Sequence, residues 1–298
     1  MAVTDKQMRL LIIDGHAFAY RAFYAIRGLN SPTGQPTNAI YGFINMLAKL
    51  EAQVLPTHSV VVWDGGLDEG RVEELDDYKA QRDPMPDDME VLLDEMVEYL
   101  EAEGWASVCD DGIEADDRIG QLSRRAEAEG FEVAIASSDK DFLQLINDRV
   151  KMWNPADKSG KPMDAEAVVA KTGVRPEQIV DWLSLVGDSA DNIPGVPGVG
   201  VKTAALLLNE FGSVDELYRN LAKVSRDKLR EALAAAEADV RRNQSLVALK
   251  LDLPGEPELD ELRRGFQDVA RLEALYEAWG FNTLLKDLRE TRQGALFE

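Results

Sequence analysis

Leu10-Leu-Ile-Ile13, closed directly by Asp14, is one of three stretches built on a single plan; the others are Val60-Val-Val-Trp63 before Asp64 and Val133-Ala-Ile-Ala136 before Ser137, Ser138, Asp139 and Asp141. Runs this short that are apolar at every position read as parallel strands covered on both faces, because a half-exposed strand would alternate. The carboxyl ends of the strands in an open parallel sheet lie along one edge, where ligands bind at the topological switch point. Acids remote in sequence would therefore meet in space. A fourth element, Gly112-Ile-Glu-Ala-Asp-Asp-Arg118, opens a helix expected to run to about Glu129, with Glu114, Asp116 and Asp117 at its start, where the helix dipole favours negative charge. Asp188 and Asp191 bring the set to nine.

Each acid taken alone is an ordinary cap or turn residue. Gathered together, the carboxylates repel and raise one another's pKa unless a cation neutralises them, so the convergence implies bound metal. Two histidines, His16 and His58, and one cysteine, Cys109, cannot supply a zinc site of nitrogen and sulfur ligands. All-oxygen ligation suits Mg2+ or Mn2+, and two ions account for the number of acids: one lowers the pKa of a water, the other stabilises the leaving oxygen of a phosphodiester.

Downstream of the acids lies Gly195-Val-Pro-Gly-Val-Gly-Val-Lys-Thr203. Gly195, Gly198 and Gly200 permit close backbone approach, Lys202 and Thr203 open an apolar helix from Ala204 to Phe211, and amides pointing out of such a turn bind a backbone phosphate without reading sequence. The Walker pattern is absent, so helix, glycine turn, helix favours DNA over a nucleotide.

With these motifs in order, the chain resembles a bacterial 5′ nuclease of the flap endonuclease superfamily, similar to the amino-terminal 5′-to-3′ exonuclease domain of DNA polymerase I. The resemblance runs from about Arg9 to about Leu288 and is carried by Ile12-Ile-Asp-Gly15, Ala19-Tyr-Arg21, Tyr78-Lys-Ala-Gln-Arg82, Gly112 to Asp117, Ser138-Asp-Lys-Asp141 and Gly187 to Gly195. It implies an α/β fold with a PIN-like central, mostly parallel sheet flanked by helices, a helical arch admitting a 5′ single strand, and a helix-three-turn-helix element on the duplex. It further implies that Asp14, Asp64, Glu114, Asp116, Asp117, Asp139, Asp141, Asp188 and Asp191 hold two or three Mg2+ or Mn2+ ions. Catalytic contacts fall to Lys79, Arg82 and Arg21, and DNA contacts to Tyr20, Gly195, Gly198, Gly200, Lys202 and Thr203, with K+ held by carbonyls of the glycine turn. The implied activity is divalent-metal-dependent 5′-to-3′ exonuclease and 5′-flap endonuclease cleavage of DNA, RNA-primed ends included, in replication and repair. The alternative is a non-catalytic branched-DNA-binding protein of the same fold, which would have no reason to bear the repulsion of nine acids. A PIN-type RNA-cleaving enzyme is disfavoured by the glycine turn.

One stretch departs from the family. A lysine and a Phe-Arg pair expected after the second strand are here Gly66 and Gly70-Arg71, and residues 64 to 103 carry 16 acids against 3 bases, supplying 13 of the 22 net negative charges. An arch so acidic would thread a polyanion poorly. The pI near 4.5 likewise predicts weak, salt-sensitive DNA binding that depends on metal, glycine amides and a few placed bases.

The expected organisation is a nuclease core over 1–180 including an arch at about 65–103, a helix-three-turn-helix and helical region over 181–290, and a tail over 291–298. A helix from about Asp87 to Glu103 carries an apolar stripe of Val91, Leu92, Met96, Val97 and Leu100. Short helices are expected at 165–172 and 176–186, and Pro254-Gly-Glu-Pro257 reads as a connection. His16 is read as a surface or supporting residue, and Trp63 and Trp182 as core. One cysteine, no signal-peptide core and no apolar run near 20 residues place the chain in the cytoplasm, off the membrane. Gln293-Gly-Ala-Leu296-Phe297 resembles the Gln-x-x-Leu-Phe peptides that hold a sliding clamp, a mobile tail offering Leu296 and Phe297 to an apolar pocket while Gln293 hydrogen-bonds at its edge.

Overall fold

The computed structural model describes residues 7–26, 28–82, 84–157 and 159–295, with backbone alone at Asp87 and 292–295. The three apolar runs form β1 (Arg9–Asp14), β2 (His58–Trp63) and β4 (Glu132–Ala136), joined by β3 (Ala106–Cys109) and β5 (Val150–Trp153) in the order β3-β2-β1-β4-β5, every neighbouring pair parallel. Alternate side chains of each run enter opposite cores. Leu10, Ile12, Val60, Val62, Val133 and Ile135 face one, and Leu11, Ile13, Val61, Trp63, Ala134 and Ala136 face the other. Full burial of a Val, Leu or Ile contributes about 1.5–3 kcal/mol, so two covered faces are what make these short strands secure.

The first core is closed by α5 (Ala115–Ala128), α6 (Ala165–Thr172), α7 (Ile179–Val186), α8 (Val201–Phe211), α9 (Val214–Arg219), α10 (Asp227–Ala235) and α11 (Glu237–Val247). It runs without interruption from the sheet to Val240, Leu246 and Val247 of α11. The boundary expected at 180/181 falls inside α7, whereas Gly173, in the left-handed conformation, closes α6. Beyond α11 the chain forms a strap back along α5: the fully buried Arg118 donates to Asp110 and to the Pro254 carbonyl, and Gln121 to the Leu253 carbonyl.

The second core lies under α1 (Gly15–Ala25), α2 (Asn38–Val54) and α4 (Asp87–Glu103), and is completed by α12 (Val269–Trp279) and α13 (Asn282–Ala295). The last two helices thus belong to the face opposite the helical unit with which sequence order grouped them. Leu272, Tyr276, Trp279, Phe281 and Leu285 are apolar residues that only this second face can bury.

After β2 come the six-residue α3 (Glu69–Glu74) and a run of turns, and then α4 packs into the core through Met89, Leu92, Met96, Tyr99 and Leu100. Val91, expected in the stripe, is 54% exposed, because the buried face is set by the 89-92-96-99 spacing. With that much apolar surface buried, α4 packs into the core, and the stretch before it, expected with α4 to form the arch, rims the sheet edge. At the far end Gln293 falls within α13, its side chain not described, and Leu296 and Phe297 lie outside the described residues.

Trp279, 4% exposed and donating to Glu95 Oε2 at 2.6 Å, locks α12 to α4. Trp279→Ala is expected to cost about 3–5 kcal/mol in urea denaturation. A loss below 1 kcal/mol would mean that α12 does not close this core.

Candidate metal centre and nucleic-acid interface

The carboxyl edge of the sheet gathers the acids as the strand pattern requires. Asp14 ends β1 and caps α1, its Oδ1 accepting from the Ala17 amide (3.1 Å) and its Oδ2 from the Ser137 hydroxyl beyond β4 (2.7 Å). Burial, opposed by those two hydrogen bonds and reinforced by Asp139 and Asp64, pushes Asp14 up to about 6. Asp116, in the first turn of α5, is driven well above the carboxylate range by burial and then by Asp139, Asp14 and Asp141. Burial does the same to Asp141, with Asp139, Asp191 and Asp188 adding and Lys140 opposing. Seven of the nine acids therefore form one electrostatically continuous cluster.

Within it, Asp141, Asp188 and Asp191 bring carboxylate oxygens within 4.8 Å of one another. The latter two come from a hairpin of β6 (Gly187–Asp188) and β7 (Ile193–Pro194) just after α7. Asp141 is 8% exposed, and its Oδ1 is buried with no hydrogen-bond partner. A buried carboxylate oxygen without a donor is rare in proteins, and an all-oxygen donor set suits a hard divalent cation, so these residues fit Mg2+ or Mn2+.

Glu114 and Asp117 are placed differently. Both oxygens of Asp117 accept from Arg71 (2.7 and 2.8 Å), with the Lys250 amide on Oδ1 at 2.9 Å, while Glu114 Oε2 accepts from Arg71 (2.7 Å), Lys79 (2.9 Å) and Tyr78 (3.1 Å). Asp117, expected among the ligands, is thus engaged as a buried anchor for Arg71, which is itself 4% exposed. Sequence reading missed this layer, and also missed Tyr78. The signal was the base Arg71 in an otherwise acidic segment.

Lys79 is fixed by main chain as well as by charge. It holds a positive φ of 53°, and its amide donates to the Asp191 carbonyl at 3.1 Å, while Asn192 donates to the Asp77 carbonyl at 2.9 Å. A non-glycine residue in that conformation persists only where its surroundings impose it. Burial alone would pull the Lys79 ammonium down, but Asp191, Glu114 and Asp116 outweigh it and hold the group charged above the usual lysine value. Arg82 reaches Asp191 Oδ1 at 2.9 Å, and Lys140 reaches Asp188 Oδ1 at 2.9 Å.

Two clefts open onto the cluster. One of about 540 Å³ is lined by Asp14, Asp139, Lys140, Asp188 and Asp191 and extends to Lys171, Trp182 and Val201. The other, about 710 Å³, runs from Asp64 past Tyr20, Tyr24 and Arg82 to Pro86. Arg21 is exposed on α1 and makes no ion pair among the described residues. His16 sits in the second cleft, made harder to protonate by burial, and its Nδ1 accepts the Asp64 amide at 3.1 Å, a supporting role as expected. Trp63 and Trp182 are buried.

The glycine turn divides into two functions. A Cβ on Gly195 would lie 2.1 Å from the Val186 carbonyl oxygen, so this glycine is demanded by backbone packing. Gly198, at φ +81°, and Gly200 have open space where a side chain would be, and Gly200 caps α8 with no side-chain bond. The exposed first turn of α8, with Lys202 and Thr203, leaves amides free to meet an anion.

Two family descriptions match consecutively: 5′-3′ exonuclease, N-terminal resolvase-like domain, over residues 9–173, and 5′-3′ exonuclease, C-terminal SAM fold, over residues 174–270. The chain belongs to the 5′-3′ exonuclease family. It is 37% identical to the 5′-3′ exonuclease of Aquifex aeolicus, covering 97% of this chain and 99% of that one. It is 39% identical to the thermostable DNA polymerase I of Thermus thermophilus over 95% of this chain, spanning only 33% of that protein's length. The fold matches bacteriophage T5 5′-exonuclease (TM-score 0.66, 21% identity, 95% and 99% coverage) and the catalytic core of Rad2 (TM-score 0.61, 19% identity, 93% and 89% coverage). The family boundary at 173/174 coincides with the left-handed Gly173.

Since burial and like charge hold the Asp141 proton on to higher pH in the folded state than in the unfolded chain, the metal-free fold loses stability as pH rises from the ordinary aspartate pKa through the raised folded one. Asp141→Asn, which does not titrate, is therefore expected in chelator to gain a few degrees of melting temperature relative to wild type between pH 5 and pH 7.5. Equal melting at both pH values would refute the repulsion. Gly195→Ala should cost about 3 kcal/mol or more through backbone overlap, and Gly198→Ala only about 1–2 kcal/mol for its positive φ. Denaturation midpoints in the reverse order would show that Gly198, not Gly195, is the packing glycine.

Proposed function

We propose that this chain is a structure-selective, divalent-metal-dependent 5′ nuclease acting on branched or 5′-ended DNA, RNA-primed ends included, in replication and repair. The observation that carries the reading is the buried group Asp141, Asp188 and Asp191 with its partnerless oxygen. Asp14, Asp64, Asp116 and Asp139 complete the donor set. When bound, Mg2+ or Mn2+ would lower the pKa of an attacking water and offset phosphodiester charge. The chain's own residues do the rest. Lys79 and Arg82 present positive charge to the phosphate from beside the acids, Tyr20 lines the approach of the 5′ strand, and the amides of Gly198 to Thr203 grip the duplex backbone without reading sequence. Arg21, exposed on the same helix as Tyr20, would meet phosphate once substrate arrives. The carbonyls of the glycine turn are proposed to take K+, and Gln293, Leu296 and Phe297 to engage a sliding clamp, the latter on sequence alone.

A non-catalytic branched-DNA-binding role is disfavoured because it leaves the carboxylate repulsion without purpose. Labelled 5′-flap duplex is expected to be cut with Mg2+ and left intact with chelator. Asp139→Ala with Asp141→Ala should abolish cleavage while flap binding stays measurable, and Lys79→Ala should lower the single-turnover rate by roughly two orders of magnitude with little loss of affinity. Cleavage by the double variant near the wild-type rate would overturn the assignment.

A further inference from the structure

Lys140 lies between two carboxylates of the cluster in sequence, yet its ammonium bonds a third from another element: Nζ is 2.9 Å from Asp188 Oδ1, whose side chain is 5% exposed. Asp188 is one of the three acids whose oxygens converge, so Lys140 neutralises a carboxylate that a divalent ion would need, on the Oδ1 that also accepts the Ala190 amide at 2.9 Å. Its main chain is pinned, since the Lys140 carbonyl accepts the Leu143 amide at 3.0 Å in the one-turn 3-10 helix that also positions Asp141. Its side chain is not pinned. It is 37% exposed and borders both the 540 Å³ cleft over the acids and a neighbouring 650 Å³ cleft lined by Asp77, Gln81, Ser189 and Asn192. A compact ammonium on a four-carbon stem can leave one anion for another at little cost while its backbone stays still.

We propose that Lys140 is an internal counter-cation: it neutralises Asp188 while divalent metal is absent, releases that carboxylate when metal binds, and turns its charge to a phosphate of the nucleic-acid strand in the adjoining cleft. The inference rests on the metal-dependent reading of the site. Two consequences follow from one movement. Lys140 competes with metal, so metal affinity is lower than the carboxylates alone would give, and metal loading makes a phosphate contact available, so metal and nucleic acid bind cooperatively. Lys79, buried against Glu114, has no such open space, and Arg82, 46% exposed on Asp191, borders the 710 Å³ cleft alone. Lys140 alone of the three stands between two clefts.

The test uses the full chain. Mn2+ titration calorimetry without DNA, on wild type, Lys140→Met and Lys140→Arg, is expected to show Lys140→Met binding Mn2+ at least about fivefold tighter, with Lys140→Arg close to wild type. In Ca2+, binding of 5′-flap duplex across a salt series should give Lys140→Met a log–log slope shallower by about one. Unchanged or weaker Mn2+ binding by Lys140→Met, or equal tightening in Lys140→Arg, would overturn the competition. An unchanged salt slope would overturn the phosphate contact. Absence of Mn2+ binding by wild type would instead overturn the metal reading itself, a result distinct from failure of Lys140.

Discussion

Carboxylates buried at one sheet edge repel one another, and much of the surrounding structure exists to contain that repulsion. Arg71 ties Glu114 and Asp117 at the base of α5, Lys79 reaches Glu114 from a constrained turn, and Arg82 and Lys140 meet Asp191 and Asp188 on the hairpin. The two groups of acids differ in kind. Glu114 and Asp117 are neutralised by hydrogen-bonded bases and form a rigid layer; Asp14, Asp116 and Asp141 are left under-neutralised, with pKa values raised by burial and like charge. A site built this way is unstable by itself and stable with a cation, which is how binding energy becomes preorganisation.

The strands were legible because two-sided burial leaves an unmistakable mark: four apolar residues in a row and then an acid. α6 and α4 were legible to the residue, the first from its Gly173 stop and the second from its Pro86 entry and Gly104 exit. The partners of α4 were not. A stripe at helical spacing says that a face is covered but not by what, and the covering residues, Leu272, Tyr276 and Trp279, lie about 180 positions away. Likewise the nine acids could be collected from local motifs, but which of them are tied up by hydrogen-bonded bases depends on where Arg71 points, and no spacing encodes that.

The acidity of residues 64 to 103 takes on a different meaning once α4 is seen in place. Glu95 accepts from Gln35 and Trp279, Glu98 and Glu101 meet Arg271, and Glu103 meets Arg264 and Gln267. Much of the negative charge that seemed to threaten substrate entry instead fastens α4 to the strap and α12. The surface pairs among these add little individually, at most about 1 kcal/mol each. Their value is in direction, since they turn anionic charge toward other protein.

The closure of the second core by α12 and α13 also orders events during synthesis. The sheet, α1, α2 and α4 leave the ribosome first, but the face bearing Met96, Tyr99 and Leu100 stays bare until some 170 further residues have been made. Contacts so distant in the chain form late and leave sticky intermediates waiting. The helical unit between them, α6 to α11, packs on the other face and is available sooner. A nascent chain of this protein would thus carry an assembled helical unit before the second face of its sheet is sealed, which makes the interval before α12 emerges the period in which chaperones have most to protect.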